Sequence, residues 1–119
     1  MQTNVHSQMA KYVYEEVSKH STDGRELRSL ARSFPSMLQV NGLGASVAFL
    51  KSKESSPAYR DMYQFLNNWT KSKFGEEEED LMKRITSMNS TSYRIYTNEI
   101  MSLCIWIKRF AEGMIKKDD

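Results

Sequence analysis

The 119-residue sequence has few of the residues that interrupt or cross-link a chain: one cysteine, two prolines and five glycines. A single cysteine, Cys104, excludes a disulfide within the chain, and a lone thiol is more typical of a reducing compartment than of a secreted protein. No apolar run is long enough to cross a bilayer, and residues 1–11 contain no apolar core of signal-peptide length. We therefore expect a cytoplasmic protein with no membrane partner.

Charge is nearly balanced in total but unevenly distributed. Seventeen lysine and arginine residues stand against fifteen acids, and five of those acids are consecutive at positions 76–80. Without that run, seventeen bases remain against ten acids, a net charge of +7. A basic body with one acidic segment can attract a polyanion, although scattered lysines are also common in soluble helical proteins.

Hydrophobic residues recur at helical spacing throughout, and no segment alternates as a strand does. The pattern predicts an all-α fold over residues 1–119: a single compact bundle of about six to seven helices, several short, with a long C-terminal helix. The first helix is expected at residues 5–19 and the last at residues 91–116. The apolar residues of the last helix recur at steps of three and four: Tyr93, Tyr96, Ile100, Leu103, Ile107, Phe110 and Met114.

Proline and capping signals mark the second helix. Asp23 and Glu26 form a capping-box pattern at its start. Pro35 disfavours helical geometry at the residue before it, so we predict that the helix ends at Phe34. A short turn over residues 35–41 is expected to follow.

Small residues mark the next corner. Asn41 and Gly42 tolerate left-handed backbone geometry and predict a helix stop, with a new helix at residues 43–53. Gly44, Ala45 and Ala48 leave so little side chain that another backbone can approach closely.

Two further signals organise the middle of the chain. Ser56-Pro57 is typical of a helix start, and Gly75 of the same helix's end. The acidic run then fits the first turn of a helix that carries Leu81, Met82, Ile85 and Met88, because carboxylates are stabilised there by the helix dipole.

No constellation of catalytic residues is recognisable, so we expect neither an enzyme, nor a cofactor, nor a metal site. His6 and His20 lie in no metal-binding spacing. Cys104, on the flank of the apolar stripe, is typical of a buried structural thiol. Gly42 and Gly44 lack the third glycine and the preceding strand of a dinucleotide-binding loop.

Basic rows are better candidates for binding. Arg25, Arg28 and Arg32 share one face of the second helix over about two turns. Such a row can neutralise phosphates, or it can be an ordinary solvated face. Arg28 and Arg32 are kept as candidate RNA or partner contacts.

The last helix carries a second mixed face. At roughly 100° per residue, a set of residues lies opposite the apolar stripe: Arg94, Met101, Ile105, Lys108 and Glu112, with Arg109 beside them. Two apolar side chains among bases indicate either a helix buried on two sides or a surface for a partner. Met101 and Ile105 are therefore candidate partner contacts.

Two segments resemble a known family. Residues 34–44, FPSMLQVNGLG, and residues 47–53, VAFLKSK, resemble the signature of the small all-helical subunit of type III-B CRISPR effector complexes, the Cmr complexes. Tyr93-Arg94, Glu99, Trp106 and residues 108–112 resemble that family's C-terminal motif. Residues 10–15 also fit, so the resemblance covers nearly the whole chain apart from the acidic run and the Ser56-Pro57 loop.

The resemblance implies a non-catalytic scaffold in antiviral defence. Copies of the small subunit stack beside the backbone subunits of a guide-RNA-loaded filament and line the channel that holds target RNA. The implied partners are other Cmr subunits, notably the backbone subunit, together with guide RNA, target RNA and copies of this chain. RNA cleavage belongs to the backbone subunit.

Matched positions divide into two groups under this resemblance. One group is implied to form the fold: Asn41, Gly42, Gly44, Phe49, Tyr93 and Trp106. The charged group comprises candidates for phosphate or neighbour contact: Lys51, Arg94, Lys108 and Arg109. Arg94 can instead pair with an acid such as Glu99.

Two alternatives stay open. A generic helical adaptor would bind only protein, through Met101 and Ile105. A small nuclease would use the carboxylates at positions 76–80 to hold a metal ion, although consecutive carboxylates on a helix point in different directions.

Overall fold

The computed structural model describes residues 5–20 and 24–116, and within these ranges the backbone forms six α-helices and no strand. The helices are, in chain order, α1 (Val5–Ser18), α2 (Arg25–Asn41), α3 (Leu43–Ser52), α4 (Pro57–Phe74), α5 (Leu81–Thr86) and α6 (Ser90–Met114). This confirms the predicted all-α bundle with a long C-terminal helix. None of the described helices is both long and apolar enough to cross a membrane.

The long helix α6 packs against α1, α2 and α4. Its core face buries six side chains: Tyr96, Ile100, Leu103, Cys104, Ile107 and Ala111. The predicted apolar stripe is therefore confirmed at its centre. At its ends, Tyr93 is exposed, whereas Phe110 and Met114 are half-buried against the edge of the core.

Helix α2 corrects the prediction at Pro35. The helix continues from Arg25 to Asn41 with Pro35 inside it, so the expected helix end at Phe34 and the turn over residues 35–41 are wrong. Phe34 and Leu38 flank the proline and are both buried. Burying two large apolar side chains on one face offsets the backbone hydrogen bond that proline cannot donate. At the start of α2, Gly24 is the N-cap residue, and Asp23 lies outside the described residues.

The glycine corner is confirmed as a helix stop but not as a close contact between helices. Gly42 has φ 85° and ψ 169°, a conformation that L side chains rarely adopt, and it separates α2 from α3. At Gly44, the nearest atom that a Cβ would meet is the Tyr93 hydroxyl oxygen at 3.5 Å. No backbone approaches Gly44 closely enough to require glycine, so the predicted close approach is wrong at this position.

Helix α4 begins and ends as predicted. Ser56 is its N-cap residue, Pro57 is its first residue, and Gly75 ends it in the left-handed conformation with φ 63°. The acidic run was expected in the first turn of the next helix, and this is wrong. Residues 76–80 instead form the connection that precedes α5, and α5 ends before Met88.

Candidate nucleic-acid interface

The outward face of α6 carries three cations that form no ion pair with the carboxylates of the described residues. Arg94 and Arg109 are exposed and Lys108 is half-buried, and within residues 5–20 and 24–116 none of the three forms an ion pair. The suggested pairing of Arg94 with Glu99 is not made. The Glu99 carboxylate instead accepts a hydrogen bond from the Trp69 indole N–H at 2.5 Å.

The two apolar candidates on this face differ in exposure. Ile105 is 40% exposed, whereas Met101 is half-buried and packs against the core. Ile105 is therefore the apolar surface residue among the cations, and Met101 contributes mainly to folding.

The arginine row of α2 does not present three equivalent cations. The Arg28 Nη2 atom donates a hydrogen bond to the Glu112 carbonyl oxygen at 3.5 Å, and its Nε is buried without a partner among the described residues. The Arg32 Nε atom lies 3.9 Å from the Glu112 carboxylate. Both side chains therefore turn towards the C-terminal end of α6, where exposed helix carbonyls favour a cation.

Lys51 is surrounded by compensating groups. Its Nζ atom lies 3.3 Å from a Glu54 carboxylate oxygen and 3.8 Å from an Asp80 carboxylate oxygen. It also lies 4.8 Å from the centre of the Tyr63 ring, within the range of a cation–π contact. A phosphate at Lys51 would have to displace these contacts first.

The acidic run neutralises lysines on the same side of the molecule as Lys51. Glu79 lies 2.7 Å from Lys71 Nζ, and Glu78 lies 3.3 Å from Lys83 Nζ. The Tyr63 hydroxyl donates a hydrogen bond to the Asp80 carboxylate. The run thus has a contact for most of its charges, and in the described part of the chain no three metal-ligating side chains converge on one point.

Tyrosine hydroxyls connect the acidic run to the helices around it. The Tyr96 hydroxyl donates to Glu76 at 3.1 Å, and the Tyr63 hydroxyl accepts the Met82 backbone N–H at 3.0 Å. Burial and the hydrogen bond to Asp80 raise the pKa of Tyr63, so its hydroxyl stays protonated and keeps its role as a donor. These bonds tie the connection before α5 to α4 and α6.

The other side chains that could take part in catalysis are one cysteine and two histidines. Cys104 is buried, as predicted, and burial raises the pKa of its thiol well above the usual range. A buried thiol with a raised pKa is a poor nucleophile. His20 Nε2 lies 3.8 Å from an Asp61 carboxylate oxygen. The His6 side chain lies outside the described residues.

Sequence reasoning missed one charged residue that matters to the fold. Arg84 is 4% exposed, and its guanidinium donates to the Glu78 carbonyl, the Asn67 carbonyl and the Thr70 hydroxyl. The sequence does not indicate that Arg84 is buried, because an arginine on α5, one turn before Met88, is normally solvated. Only the tertiary packing of α5 on α4 makes it a core residue.

Comparison with known proteins gives a consistent assignment. The family model described as CRISPR-associated protein (Cas_Cmr5) matches residues 5–114. The fold is similar to the crystal structure of a CRISPR-associated Cmr5 family protein from Thermus thermophilus, with a TM-score of 0.77 at 24% sequence identity. That similarity covers 96% of this chain and 100% of the other. Because the family model matches nearly the whole chain, this protein belongs to the CRISPR-associated Cmr5 family.

Proposed function

We propose that this protein is the non-catalytic small subunit of a type III-B CRISPR effector and that the outward face of α6 contacts the phosphate backbone of guide or target RNA. Arg94, Lys108 and Arg109 are the proposed contacts. As a member of the Cmr5 family, the chain is a subunit of a Cmr-type complex. In the proposed role it scaffolds the complex in the cytoplasm beside the backbone subunit and further copies of itself.

The observation that carries this proposal is the difference between compensated and uncompensated cations. Lys51 and Lys71 lie within 4 Å of carboxylates, whereas Arg94, Lys108 and Arg109 have no such partner among the described residues. Phosphate binding gains free energy by releasing counterions from the nucleic acid. That gain is reduced where a lysine must first break an ion pair within its own protein.

Phosphate contacts hold a nucleic acid without reading its sequence. This suits a subunit that must accommodate whichever guide the complex carries. The proposal therefore assigns sequence recognition to base pairing between guide and target, and gives α6 a contact with the backbone alone.

The test compares two double variants with the same change in net charge. Lys108→Ala with Arg109→Ala removes two uncompensated cations, and Lys51→Ala with Lys71→Ala removes two compensated ones. Each variant is assembled into the complex, and its affinity for target RNA is measured over a range of salt concentrations. We expect only the first pair to weaken binding and to reduce the salt slope by roughly 0.7 for each phosphate that is no longer neutralised.

Equal effects of the two double variants would contradict the proposal, because net charge alone would then explain binding. Unchanged affinity and salt slope in both would remove α6 from the RNA interface. Size-exclusion chromatography of the assembled complex controls for dissociation of the subunit.

A protein-only adaptor is the second candidate, and the exposure of Ile105 favours it. It predicts that Ile105→Asp prevents assembly, while the Lys108 and Arg109 substitutions leave the RNA affinity of the finished complex unchanged. The two candidates thus give opposite results for the RNA affinity of the Lys108 and Arg109 double variant.

A further inference from the structure

A groove of about 240 Å³ lies beside the uncompensated cations of α6, lined by Ser102, Ile105, Trp106 and Arg109. Its lining is mostly apolar, and Arg109 is the charged residue among the lining residues. The Trp106 indole stacks on Phe110, with ring centroids 5.6 Å apart and planes inclined by 20°. Phe110 covers one face of the indole, and Trp106 itself lines the groove together with Ser102, one helical turn before it.

Phe110, which stacks on the Trp106 indole, is itself held by a second aromatic contact. Phe110 also meets the Tyr14 ring of α1 edge to face, with centroids 6.0 Å apart and planes at 80°. Both aromatic contacts have geometries favoured by the ring quadrupoles. Trp106 therefore presents an oriented aromatic face next to Arg109, rather than a freely rotating side chain.

We infer that this groove takes one nucleobase of a single-stranded RNA, stacked on the free face of Trp106, while Arg109 contacts an adjoining phosphate. This inference rests on the proposed contact between α6 and the RNA backbone. Single-stranded nucleic acid is commonly held by an aromatic face for the base together with cations along the backbone. Both components are present here within one turn of α6.

The charge of the surroundings favours a nucleic acid over an apolar peptide. Arg109 at the groove and Lys108 beside it have no carboxylate partner within the described ranges. A purely apolar partner would cover Ile105 and Trp106 but would leave the Arg109 charge unpaired at the interface, which is costly. A nucleotide supplies both the flat apolar surface and the negative charge.

The groove offers little means of distinguishing one base from another. Its hydrogen-bonding groups are the Ser102 hydroxyl, the Arg109 guanidinium and the Trp106 indole N–H, and every base has a face that can stack. We therefore expect binding that depends on the presence of a base but only weakly on which base it is.

The experiment uses the full chain with Trp69→Phe, which leaves Trp106 as its one tryptophan. Two single-stranded RNA oligonucleotides of equal length are titrated at low salt: oligouridylate and a version with abasic sites throughout. The oligouridylate is expected to quench Trp106 emission, whereas the abasic version binds more weakly and leaves emission unchanged. Contacts dominated by the backbone give affinities of about 10⁻⁴–10⁻⁶ M at physiological salt, and tighter binding is expected at low salt.

Two substitutions separate stacking from folding. Trp106→Leu keeps apolar bulk but removes the aromatic face, and it should weaken oligouridylate binding roughly fivefold to a hundredfold while leaving abasic binding unchanged. Trp106→Phe keeps a smaller aromatic face and should retain most of the affinity. Circular dichroism identifies any variant that fails to fold, and the emission measurement on the Trp69→Phe protein does not depend on either variant.

Several results would overturn the inference, and they can be told apart. Equal affinity for the two oligonucleotides with unchanged emission would remove base stacking and leave the backbone contact standing. No binding of either oligonucleotide at low salt would overturn the stacking inference, whereas the backbone contact is decided separately by the salt dependence of the assembled complex. If Trp106→Leu blocked assembly with the other Cmr subunits but preserved oligouridylate binding, the groove would be a protein interface instead.

Discussion

The backbone N–H of Gly44 donates a hydrogen bond of 2.9 Å to the hydroxyl of Tyr93, which lies 49 positions further along the chain. Gly44 belongs to the first turn of α3, where backbone N–H groups have no partner within the helix. Gly42, the N-cap residue of α3, has no side chain that could supply one. Tyr93 therefore satisfies from α6 a donor that a serine or aspartate cap would normally satisfy locally.

This relationship predicts opposite outcomes for the two glycines. Gly42→Ala forces a side chain into φ 85° and ψ 169° and should lower the free energy of unfolding by about 1–3 kcal/mol. Gly44→Ala places a Cβ in ordinary contact with the Tyr93 hydroxyl, within a helix, and should raise stability by up to about 1 kcal/mol. Urea denaturation of both variants measures the difference. Equal destabilisation would contradict the distinction drawn between the two positions.

The glycine corner illustrates what can be predicted from the sequence. Asn41-Gly42, Ser56-Pro57 and Gly75 act through their own backbone preferences, so the helix boundaries predicted from them are correct. The stripe on α6 is also correct at its centre, because a long periodic pattern averages over local exceptions.

Errors occur where distant residues decide the outcome. Pro35 predicts a helix end, and only the burial of Phe34 and Leu38 against the rest of the bundle keeps α2 continuous. Similarly, Lys51 is recognisable from sequence as a candidate contact, but the position of Asp80 at 3.8 Å from it is not. Charge compensation depends on tertiary neighbours, so candidate cations can be identified from sequence but not ranked.

Pro35 gives the second prediction. Pro35→Ala restores a backbone donor inside α2 and replaces the least favourable residue for a helix interior with the most favourable one. We expect the free energy of unfolding to rise by about 1–3 kcal/mol, measured by urea denaturation. Ser36→Ala, on the exposed side of the same helix, is the control and should change stability by less than about 0.5 kcal/mol. A decrease in stability in Pro35→Ala would show that the proline is required by its surroundings.

Glu78 gives a prediction about pH. The hydrogen bond that its carboxylate accepts from the Asp80 backbone N–H is the main factor that lowers the pKa of Glu78, and Lys83 contributes further. A carboxyl whose pKa is lower in the folded state stabilises the fold above its unfolded pKa. That contribution disappears as the pH falls through its folded pKa. Glu78→Gln should therefore reduce stability at neutral pH, and the difference from the unsubstituted protein should shrink on acidification.

Glu77 provides a matched control for this measurement. It is the exposed neighbour of Glu78 in the same run, and the described residues give it no ion pair. Thermal unfolding of Glu77→Gln should follow that of the unsubstituted protein at every pH. A pH-independent decrease in the stability of Glu78→Gln would show that the side chain acts through shape rather than through its charge.

Arg84 carries the last prediction because it is a buried cation whose acceptors are all neutral. Arg84→Met keeps an apolar stem of similar length but leaves the Glu78 carbonyl and the Thr70 hydroxyl without the guanidinium donor, while the Asn67 carbonyl keeps only its bond from Thr70 and its helix bond. Unsatisfied buried groups are expensive, so we expect a decrease of about 3 kcal/mol in the free energy of unfolding. Lys83→Met, at the adjacent and exposed cation, should cost less than about 1 kcal/mol. Both variants remove one positive charge from α5, and urea denaturation measures the free energy of unfolding of each. Equal decreases would mean that the loss of charge explains the effect and that the hydrogen bonds of Arg84 do not hold α5 against α4.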